Sequence, residues 1–575
     1  MKKIQEKISA HLAFIYKDKD ITALTNELIE IINDYKEAYP ELAATSPQGR
    51  VSEKDVILIT YGDMVQKADE APLKTLSEFL QKYFGDVINA VHILPFFPYS
   101  SDDGFSVIDY RQVNPNLGEW EDIAELGENF RLMFDAVVNH ISAESTEFQG
   151  FLKGDPKYKD FFTVTDPNAD ISKVFRPRSL PLLTPFQTPE GEKHVWTTFS
   201  ADQIDLNFAN PAVLFEVIKV LLFYVAHCAE FIRLDAVTYL WKDIETSCAN
   251  LPETHRIIQL VRTVLDEVAP RTALITETNV PHQDNIAYFG DGLNEAQMVY
   301  NFVLPPIVLH SFQSGNAEKL SQWATTLELP SNQATFFNFL ASHDGIGLTP
   351  TKNILTPEEI NAVVQRTQNL GGNIGYKSNG DGSKSPYELN INYLSALGDP
   401  QNPIAAKRFL AAQSIMLALR GVPGIYFQSL IGSENWSEGV EKYGYNRAIN
   451  RQKLPIEKLE SELSLPSLRQ RVYQGYHHLL DIRQTQPAFH PFGGQKVLNL
   501  HPSIFGLIRT SLDEDQNLLC LHNISDQEIE IALDLNLLPF KNTNPFSDII
   551  SDKSFPISNG KLKLHLAPYE VLWLK

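Results

Sequence analysis

The chain alternates short apolar runs with longer helical patterns. Eight of the runs are interpreted as buried strands of a parallel sheet, because they are short, almost continuously apolar and separated by helix-like segments. They cover residues 56–61, 89–95, 132–138, 231–236, 273–277, 298–304, 335–340 and 422–427. Strands and helices in this alternation predict an α/β fold, the closed (β/α)₈ TIM barrel.

The patterns at the two ends of the chain differ from this alternation. In residues 1–50, Leu and Ile recur among charged residues at helical spacing, which predicts an N-terminal helical extension of two amphipathic helices ending near Pro40. We expect the extension to pack on the main domain, with an oligomer contact as the alternative. Beyond residue 490, short alternating strands separated by turn residues predict an antiparallel β-domain over residues 491–575.

Two long intervals interrupt the barrel pattern of residues 51–490. Residues 141–205 contain several prolines, and residues 345–404 are rich in Gly, Asn, Asp and Ser. Structureless loops of this length are uncommon in compact domains unless they are functional. We interpret both as inserted subdomains that lie over the carboxyl ends of the strands and form walls of an active-site pocket.

Composition narrows the class of protein and its partners. The chain has 575 residues, of which 43% are hydrophobic and 21% charged, as in globular proteins with more than one domain. Its net charge of −22 argues against nucleic acid or an anionic membrane as a partner. Three cysteines form neither a metal-binding spacing nor a disulfide framework. With no apolar signal after Met1 and charged residues inside the apolar run 213–229, the sequence predicts a soluble cytoplasmic protein.

Carboxylates follow three of the predicted strands. Asp235, Glu277 and Asp344 each stand at or just beyond a strand end. The carboxyl ends of barrel strands converge on one face, so residues that are distant in sequence can meet there. Glycosyl transfer uses such a group, with one carboxylate attacking the anomeric carbon and a protonated one assisting the leaving oxygen. The alternative for each acid singly is a structural ion pair or a helix cap.

Other residues near these strand ends are candidates for substrate contacts. His140 and His343 stand beside the strand-end carboxylates. Three aromatic residues could stack on a sugar ring or belong to the core, namely Phe105, Trp196 and Phe199. Arg176 and Arg178 form the one compact basic spot in an insertion. The pair is either an anion site or a solvated surface pair.

Four segments resemble the α-amylase superfamily, glycoside hydrolase family 13. In chain order they are Asp135-Ala-Val-Val-Asn139-His140, Arg233-Leu-Asp235-Ala-Val, Glu277 and His343-Asp344. The resemblance spans residues 55–490 and implies a (β/α)₈ barrel with insertions and a C-terminal β-domain. Within the superfamily, the chain is most similar to the sucrose phosphorylase branch, through segments that include 91–97, 103–105, 176–178, 343–347 and 446–451.

The resemblance implies roles for the site residues. By likeness to the branch, Asp235 is the nucleophile, Glu277 the general acid/base and Asp344 the transition-state stabiliser. Arg178 and Tyr387 would bind phosphate. The remaining implied substrate-binding residues are Asp102, Phe105, His140, Phe199, Gln203, Arg233, His343, Glu388 and Arg447. No metal site is implied, no cofactor is expected, and inorganic phosphate would be the co-substrate.

Three departures bear on the acceptor. Sucrose phosphorylases have glutamine where this chain has Glu388, and histidine where it has Asn279; they also lack the N-terminal extension. The segments 178–186, 276–282 and 385–390 are most similar to those of glucosylglycerate phosphorylases, with glucosylglycerol phosphorylases close behind. On charge alone, a carboxylate at Glu388 would repel the carboxylate of glycerate and favour glucosylglycerol.

The resemblance therefore implies a retaining phosphorylase. The expected reaction is reversible phosphorolysis of 2-O-α-D-glucosyl-D-glycerate to α-D-glucose 1-phosphate and D-glycerate. The alternatives are phosphorolysis of glucosylglycerol, sucrose or sucrose 6-phosphate, and hydrolysis of an α-glucoside. A sugar-binding protein without activity is disfavoured because all three acids are present. The expected partners are small molecules, and the expected assembly is a monomer or homodimer.

Overall fold

The computed structural model describes residues 2–178, 180–379, 383–540 and 545–575. Its centre is a closed barrel of eight parallel strands, each paired with the next along the chain and the eighth paired with the first. The strands are Ile57–Thr60, Ala90–Ile93, Arg131–Ala136, Ala229–Leu234, Ala273–Thr276, Met298–Tyr300, Thr335–Phe339 and Val422–Tyr426. The predicted TIM barrel is confirmed, with all eight strands in the predicted places.

Apolar runs form these strands because both faces of the sheet are buried. The first, second, fifth, sixth, seventh and eighth strands are buried at every position. Helices cover the outside, which is why the pattern does not alternate between apolar and polar positions. The main helices of this layer are Pro72–Phe84, Trp120–Asn129, Pro211–Ala226, Pro252–Val268, Leu304–Ser314, Ala405–Ala418 and Leu468–Gln484.

The predicted strands extend too far at their carboxyl ends. The strand expected over 298–304 ends at Tyr300, and a helix begins at Leu304 with prolines in its first turn. Such prolines suit a helix start because the first-turn amides need no partner there. The apolar run 213–229 is helical only as far as Ala226, and the fourth strand begins at Ala229. Apolar content alone does not mark these boundaries.

Both insertions contain short antiparallel sheets. In the first, His140–Ser142 pairs with Gln203–Asp205, and Leu183–Thr188 forms a hairpin with Gly191–Trp196. In the second, Lys384–Asn390 lies between Asn373–Ser378 and Ile346–Gly347. The pairing fixes segments that would otherwise be long loops above the barrel.

The N-terminal helices Lys2–Ile15 and Ile21–Ala38 pack on the barrel. Ile8 and Leu12 on the first helix, and Leu28 on the second, are fully buried in the main core. The hydroxyl of Tyr16 donates a hydrogen bond of 3.0 Å to the carbonyl oxygen of Phe208. The apolar face of the extension therefore packs against the rest of the same chain. Within the described ranges, no helix is both long and apolar enough to cross a membrane.

The C-terminal region is built from antiparallel sheets. Its largest sheet contains Gly494–His501, Ile504–Thr510, Asn517–Asn523 and Val571–Leu574. A second sheet contains Ile529–Asp534, Ile557–Ser558 and Lys561–Leu566. Antiparallel C-terminal strands are thereby confirmed.

Two buried arginines, Arg483 on the last barrel helix and Arg509 in the largest C-terminal sheet, donate hydrogen bonds to carbonyl groups of the barrel. Arg483 donates to the carbonyl oxygens of Leu417 (3.0 Å) and Glu53 (2.6 Å), and Arg509 donates to that of Ala418 (2.8 Å). Leu417 and Ala418 end the helix that precedes the eighth strand, so their carbonyl oxygens have no partner within the helix. The arginines supply the missing donors and place positive charge at the negative end of the helix dipole. Burial lowers the pKa of Arg483 only to about 10, so it is charged at neutral pH.

We expect Arg483→Met to lower the free energy of unfolding by about 2–3 kcal/mol, because buried carbonyl groups lose a charged donor while the apolar volume is kept. Thermal unfolding and the denaturant midpoint measure the change. Arg471→Met is the matched control, since Arg471 is exposed on the same helix. Equal stability of the two variants would show that desolvating the guanidinium costs as much as its hydrogen bonds gain.

Candidate active site

A pocket opens at the carboxyl ends of the barrel strands, beneath both insertions. Its inner part has a volume of about 80 Å³, and it continues into an outer vestibule of about 500 Å³. Every residue predicted for the site lines the inner part except Arg233, which is buried behind it. The predicted residues on the lining are Asp102, Phe105, His140, Arg178, Phe199, Gln203, Asp235, Glu277, His343, Asp344, Tyr387, Glu388 and Arg447.

Asp235 follows the last residue of the fourth barrel strand. Its backbone amide donates to the carbonyl oxygen of Ala136 on the third strand at 3.1 Å, which extends the parallel pairing by one bond. The next residue, Ala236, has a φ of 48°, in the left-handed region that costs energy for a residue with a Cβ atom. This local reversal ends the strand and leaves the Asp235 side chain on the pocket wall.

A series of buried hydrogen-bonded side chains lies behind Asp235. The Nη1 group of Arg233 donates to Asp235 Oδ1 at 2.8 Å and also to Asp135 on the neighbouring strand. Asp135 Oδ2 lies 2.7 Å from Nε2 of His92, on the second strand. Burial lowers the pKa of His92, so we assign a neutral ring that donates from Nε2. The barrel register makes this series possible, since Asp135 is paired with Arg233 in the sheet.

Glu277 follows the fifth strand and reaches across to the same corner. Its Oε2 accepts a 3.1 Å hydrogen bond from the backbone amide of Ala236 and lies 3.9 Å from Nη2 of Arg233. The amide of Ala236 is available to Glu277 because the chain turns there. The turn after Asp235 therefore positions both acids at once.

Asp235 and Glu277 compete for one positive charge. Burial raises the pKa of both carboxyl groups, and the Arg233 guanidinium opposes this rise in each. The charge of Glu277 raises the pKa of Asp235 further. The charge of Asp344 does the same to the pKa of Glu277. Two neighbouring buried acids hold about one proton between them. Because Arg233 donates directly to Asp235 and stands further from Glu277, we assign the proton to Glu277. The pair then contains one ionised and one protonated acid.

The third acid, Asp344, has the opposite environment. Burial alone would raise its pKa, but Arg447 and then Arg451 outweigh burial, and the pKa lies below the ordinary value. Nη1 of Arg447 is 2.5 Å from Asp344 Oδ1, and Nη2 of Arg451 is 3.7 Å from the same atom. Asp344 therefore presents a permanent negative charge to the pocket.

Glu388 does not present a free charge to the pocket. Its two carboxylate oxygens accept 3.0 Å and 2.7 Å bonds from Nε and Nη2 of Arg447, a bidentate pair. The backbone amide of Gly345 donates a third bond, of 3.2 Å. The argument that Glu388 would repel an anionic acceptor is weakened, because Arg447 partly neutralises the charge of Glu388 together with that of Asp344.

Histidine and aromatic residues form a further part of the pocket lining. His140 Nε2 lies 2.9 Å from the carbonyl oxygen of Phe105, and the amide of Gln203 donates to that oxygen at 3.0 Å. The Phe105 ring stacks on His343 with centroids 4.7 Å apart and a 5° interplanar angle. Phe199 contacts His140 at 5.1 Å between centroids. Trp196 is buried in a separate apolar cluster, so its core interpretation is the one that the structure favours.

The two arginines of the basic spot have different places. Arg178 lines the inner pocket beside Tyr387, whereas Arg176 lies outside the inner lining and donates to the carbonyl oxygen of Leu180. Asn279 also lines the inner pocket, and its Oδ1 atom is buried without a hydrogen-bond partner among the described residues. This oxygen is a buried acceptor that the described residues leave unsatisfied.

Sequence reasoning missed three supporting residues. Asp135, His92 and Arg451 form contacts behind the acids, yet all three stand inside segments on which the family resemblance rests. Those segments indicated that the three residues belong to the site. Their contacts could not be predicted, because they join residues that are far apart in the chain. In the described part of the chain, no group of three or more His, Cys, Asp or Glu residues is placed to hold a metal ion.

Comparisons with known proteins agree with this architecture. Residues 78–348 match the family model described as alpha amylase, catalytic domain, and residues 497–573 match that of the maltogenic amylase C-terminal domain. A protein named glucosylglycerate phosphorylase from Spirochaeta thermophila is 47% identical to the chain, over 98% of this chain and 97% of that protein. The chain belongs to the sucrose phosphorylase branch of the α-amylase superfamily.

Two further members of the branch are more distant. A sucrose phosphorylase from Streptococcus mutans is 30% identical over 75% of this chain and 88% of that protein. The crystal structure of sucrose 6F-phosphate phosphorylase from Thermoanaerobacter thermosaccharolyticum aligns with a TM-score of 0.71 at 29% identity, covering 82% of this chain and 94% of that one. The predicted membership of the sucrose phosphorylase branch is thus confirmed.

Proposed function

We infer that the protein is a retaining glycoside phosphorylase that converts glucosylglycerate and phosphate to α-D-glucose 1-phosphate and D-glycerate, reversibly. The observation that carries this inference is the 47% identity, over nearly the whole of both chains, to a protein named glucosylglycerate phosphorylase. The match to a sucrose phosphorylase is weaker and covers less of the chain. We take the glucoside to be 2-O-α-D-glucosyl-D-glycerate.

The first half-reaction uses the ionised and the protonated acid. Asp235 attacks the anomeric carbon, and Glu277 gives its proton to the departing oxygen of glycerate, which leaves a β-glucosyl ester on Asp235. Arg233 keeps Asp235 charged through its direct hydrogen bond. Asp344, whose pKa is lowered, stabilises the positive charge that develops on the sugar in the transition state.

In the second half-reaction phosphate takes the place of the departed glycerate. One of its oxygens attacks the anomeric carbon from the face that glycerate left, Asp235 is released, and α-D-glucose 1-phosphate forms with net retention. Phosphate is already an anion at neutral pH, so it needs less help from a base than water would. We assign Arg178 and Tyr387 to bind it, since both line the pocket on the side of the insertions.

The acceptor preference agrees with the charges of the site. Glu388 is paired with Arg447, which partly neutralises its charge near the acceptor. Asn279 lines the inner pocket with an uncharged side chain. We also propose that the enzyme works in the cytoplasm as a monomer or homodimer and needs no metal ion or organic cofactor, because carboxyl groups and phosphate supply all the chemistry described above.

Release of glucose 1-phosphate from three glucosides tests the function. With phosphate present, we expect the highest kcat/KM on glucosylglycerate, a lower one on glucosylglycerol and the lowest on sucrose. Release without phosphate should be slow for all three. Higher activity on glucosylglycerol or sucrose would overturn the acceptor assignment alone. Free glucose formed at the same rate with and without phosphate would instead identify a hydrolase.

A further inference from the structure

The proposed reaction brings two anions to one pocket, which offers few cations. Phosphate and the carboxylate of glycerate are both ionised at neutral pH. Each must approach the same side of the anomeric carbon, one as the leaving molecule and the other as the incoming one. In a double displacement they do so in succession, because the glucosyl ester on Asp235 separates the two events.

Most cationic groups on the inner lining are already committed. Arg447 forms the bidentate pair with Glu388 and contacts Asp344 at 2.5 Å. Burial lowers the pKa of His140 and of His343, so both rings are neutral at pH 7. These groups have no charge to spare for an incoming anion.

Arg178 is different. It is half-buried on the inner lining, and no ion pair or hydrogen bond joins its guanidinium to another described residue. Its charge reaches the acids around it, since it contributes to lowering the pKa of Asp344 and of Glu388. Among the described lining residues, it is the one arginine or lysine left without an anionic partner.

We propose that Arg178 forms a single anion site that is used twice in each turnover. It holds the carboxylate of glycerate while the glucosidic bond breaks, and then holds the phosphate that attacks the glucosyl ester. This assignment rests on the function proposed above and adds the determinant of acceptor charge.

The chemistry of the two anions fits one site. In glucosylglycerate the carboxyl carbon is bonded to the carbon that carries the glucosidic oxygen. In phosphate the attacking oxygen and the other charged oxygens share one phosphorus atom. In both, the negative charge lies only a few bonds from the reacting oxygen. Glycerol and fructose lack such a charge, so a guanidinium at this place selects glycerate over neutral acceptors.

The selectivity can be measured directly as the rates at which different acceptors react with the glucosyl ester on Asp235, here called capture. α-D-Glucosyl fluoride forms the ester with neither anion present, and the products formed with D-glycerate, glycerol, phosphate and water are then quantified. We expect Arg178→Gln to reduce capture by glycerate and by phosphate together, each by about ten- to a hundredfold, the loss typical of a charge-assisted hydrogen bond. Capture by glycerol and water should change little. Arg178→Lys should recover part of both losses.

Arg176→Gln is the matched control, because Arg176 lies outside the inner lining and binds a backbone carbonyl. It should leave all four capture rates near those of the unaltered protein. Loss of phosphate capture with normal glycerate capture in Arg178→Gln would overturn the shared site.

A failure of the proposed function would look different, since glucosylglycerate would then yield no glucose 1-phosphate although the capture ratios still depended on Arg178.

Discussion

Asp235→Ala is expected to lower glucose 1-phosphate release from glucosylglycerate by roughly 10⁴-fold or more, because the variant has no nucleophile to form the glucosyl ester. Arg233 would lose the partner that it contacts at 2.8 Å, but it would keep Asp135. The buried series of side chains behind Asp235 stays paired, so we expect the variant to fold. Steady-state kinetics and mass spectrometry of the protein mixed with α-D-glucosyl fluoride measure the effect.

The isosteric variant Asp235→Asn separates charge from shape. It should be as inactive as the alanine variant, and neither should gain the mass of a glucosyl group. A variant at Asp235 that still released glucose 1-phosphate at a substantial rate would refute the nucleophile assignment. A second acid, such as Asp344, would then have to carry the sugar.

Glu277→Gln should separate the two half-reactions. We expect kcat/KM for glucosylglycerate to fall by about 10²–10⁴-fold, because glycerate is a poor leaving group without a proton donor. The reaction of α-D-glucosyl fluoride with phosphate should fall far less, since fluoride leaves readily and phosphate attacks as an anion. Equal losses with both donors would contradict the acid/base assignment.

Glu277 also determines how kcat/KM for glucosylglycerate depends on pH. Glu277 must be protonated in the free enzyme, and burial raises its pKa. The kcat/KM for glucosylglycerate should therefore fall as pH rises through this raised pKa, and Glu277→Gln should lack that fall. Azide gives a further check: as an anion that needs no base, it should accelerate turnover of the glucosyl ester in the variant and form α-glucosyl azide.

The barrel and the three acids were predictable because their signals are local. Each strand is a short apolar run, and each acid stands within a few residues of a strand end, so the closed barrel alone brings Asp235, Glu277 and Asp344 together. Strand ends were predicted less well. The helix from Leu304 continues the apolar run that begins in the sixth strand, and hydrophobicity does not distinguish the two.

Contacts between distant residues were not predictable. Glu388 belongs to a strand of the second insertion, and Arg447 lies in a short helical segment after the eighth barrel strand. Nothing near either residue in the sequence indicates their bidentate pairing, so the charge argument against glycerate did not take the pairing into account. The different places of Arg176 and Arg178 likewise depend on how the first insertion folds over the barrel.

The carbonyl contacts of Arg483 also have a consequence for the order of biosynthesis. Glu53 lies just before the first barrel strand, and Leu417 lies just before the eighth, so Arg483 bridges the two strands whose pairing closes the barrel. A nascent chain that ends before residue 483 has every barrel strand but lacks this clamp. The hydrogen bonds of Arg483 therefore reinforce the pairing of the first and eighth strands only after both have been made, and we expect the barrel to gain stability late in translation.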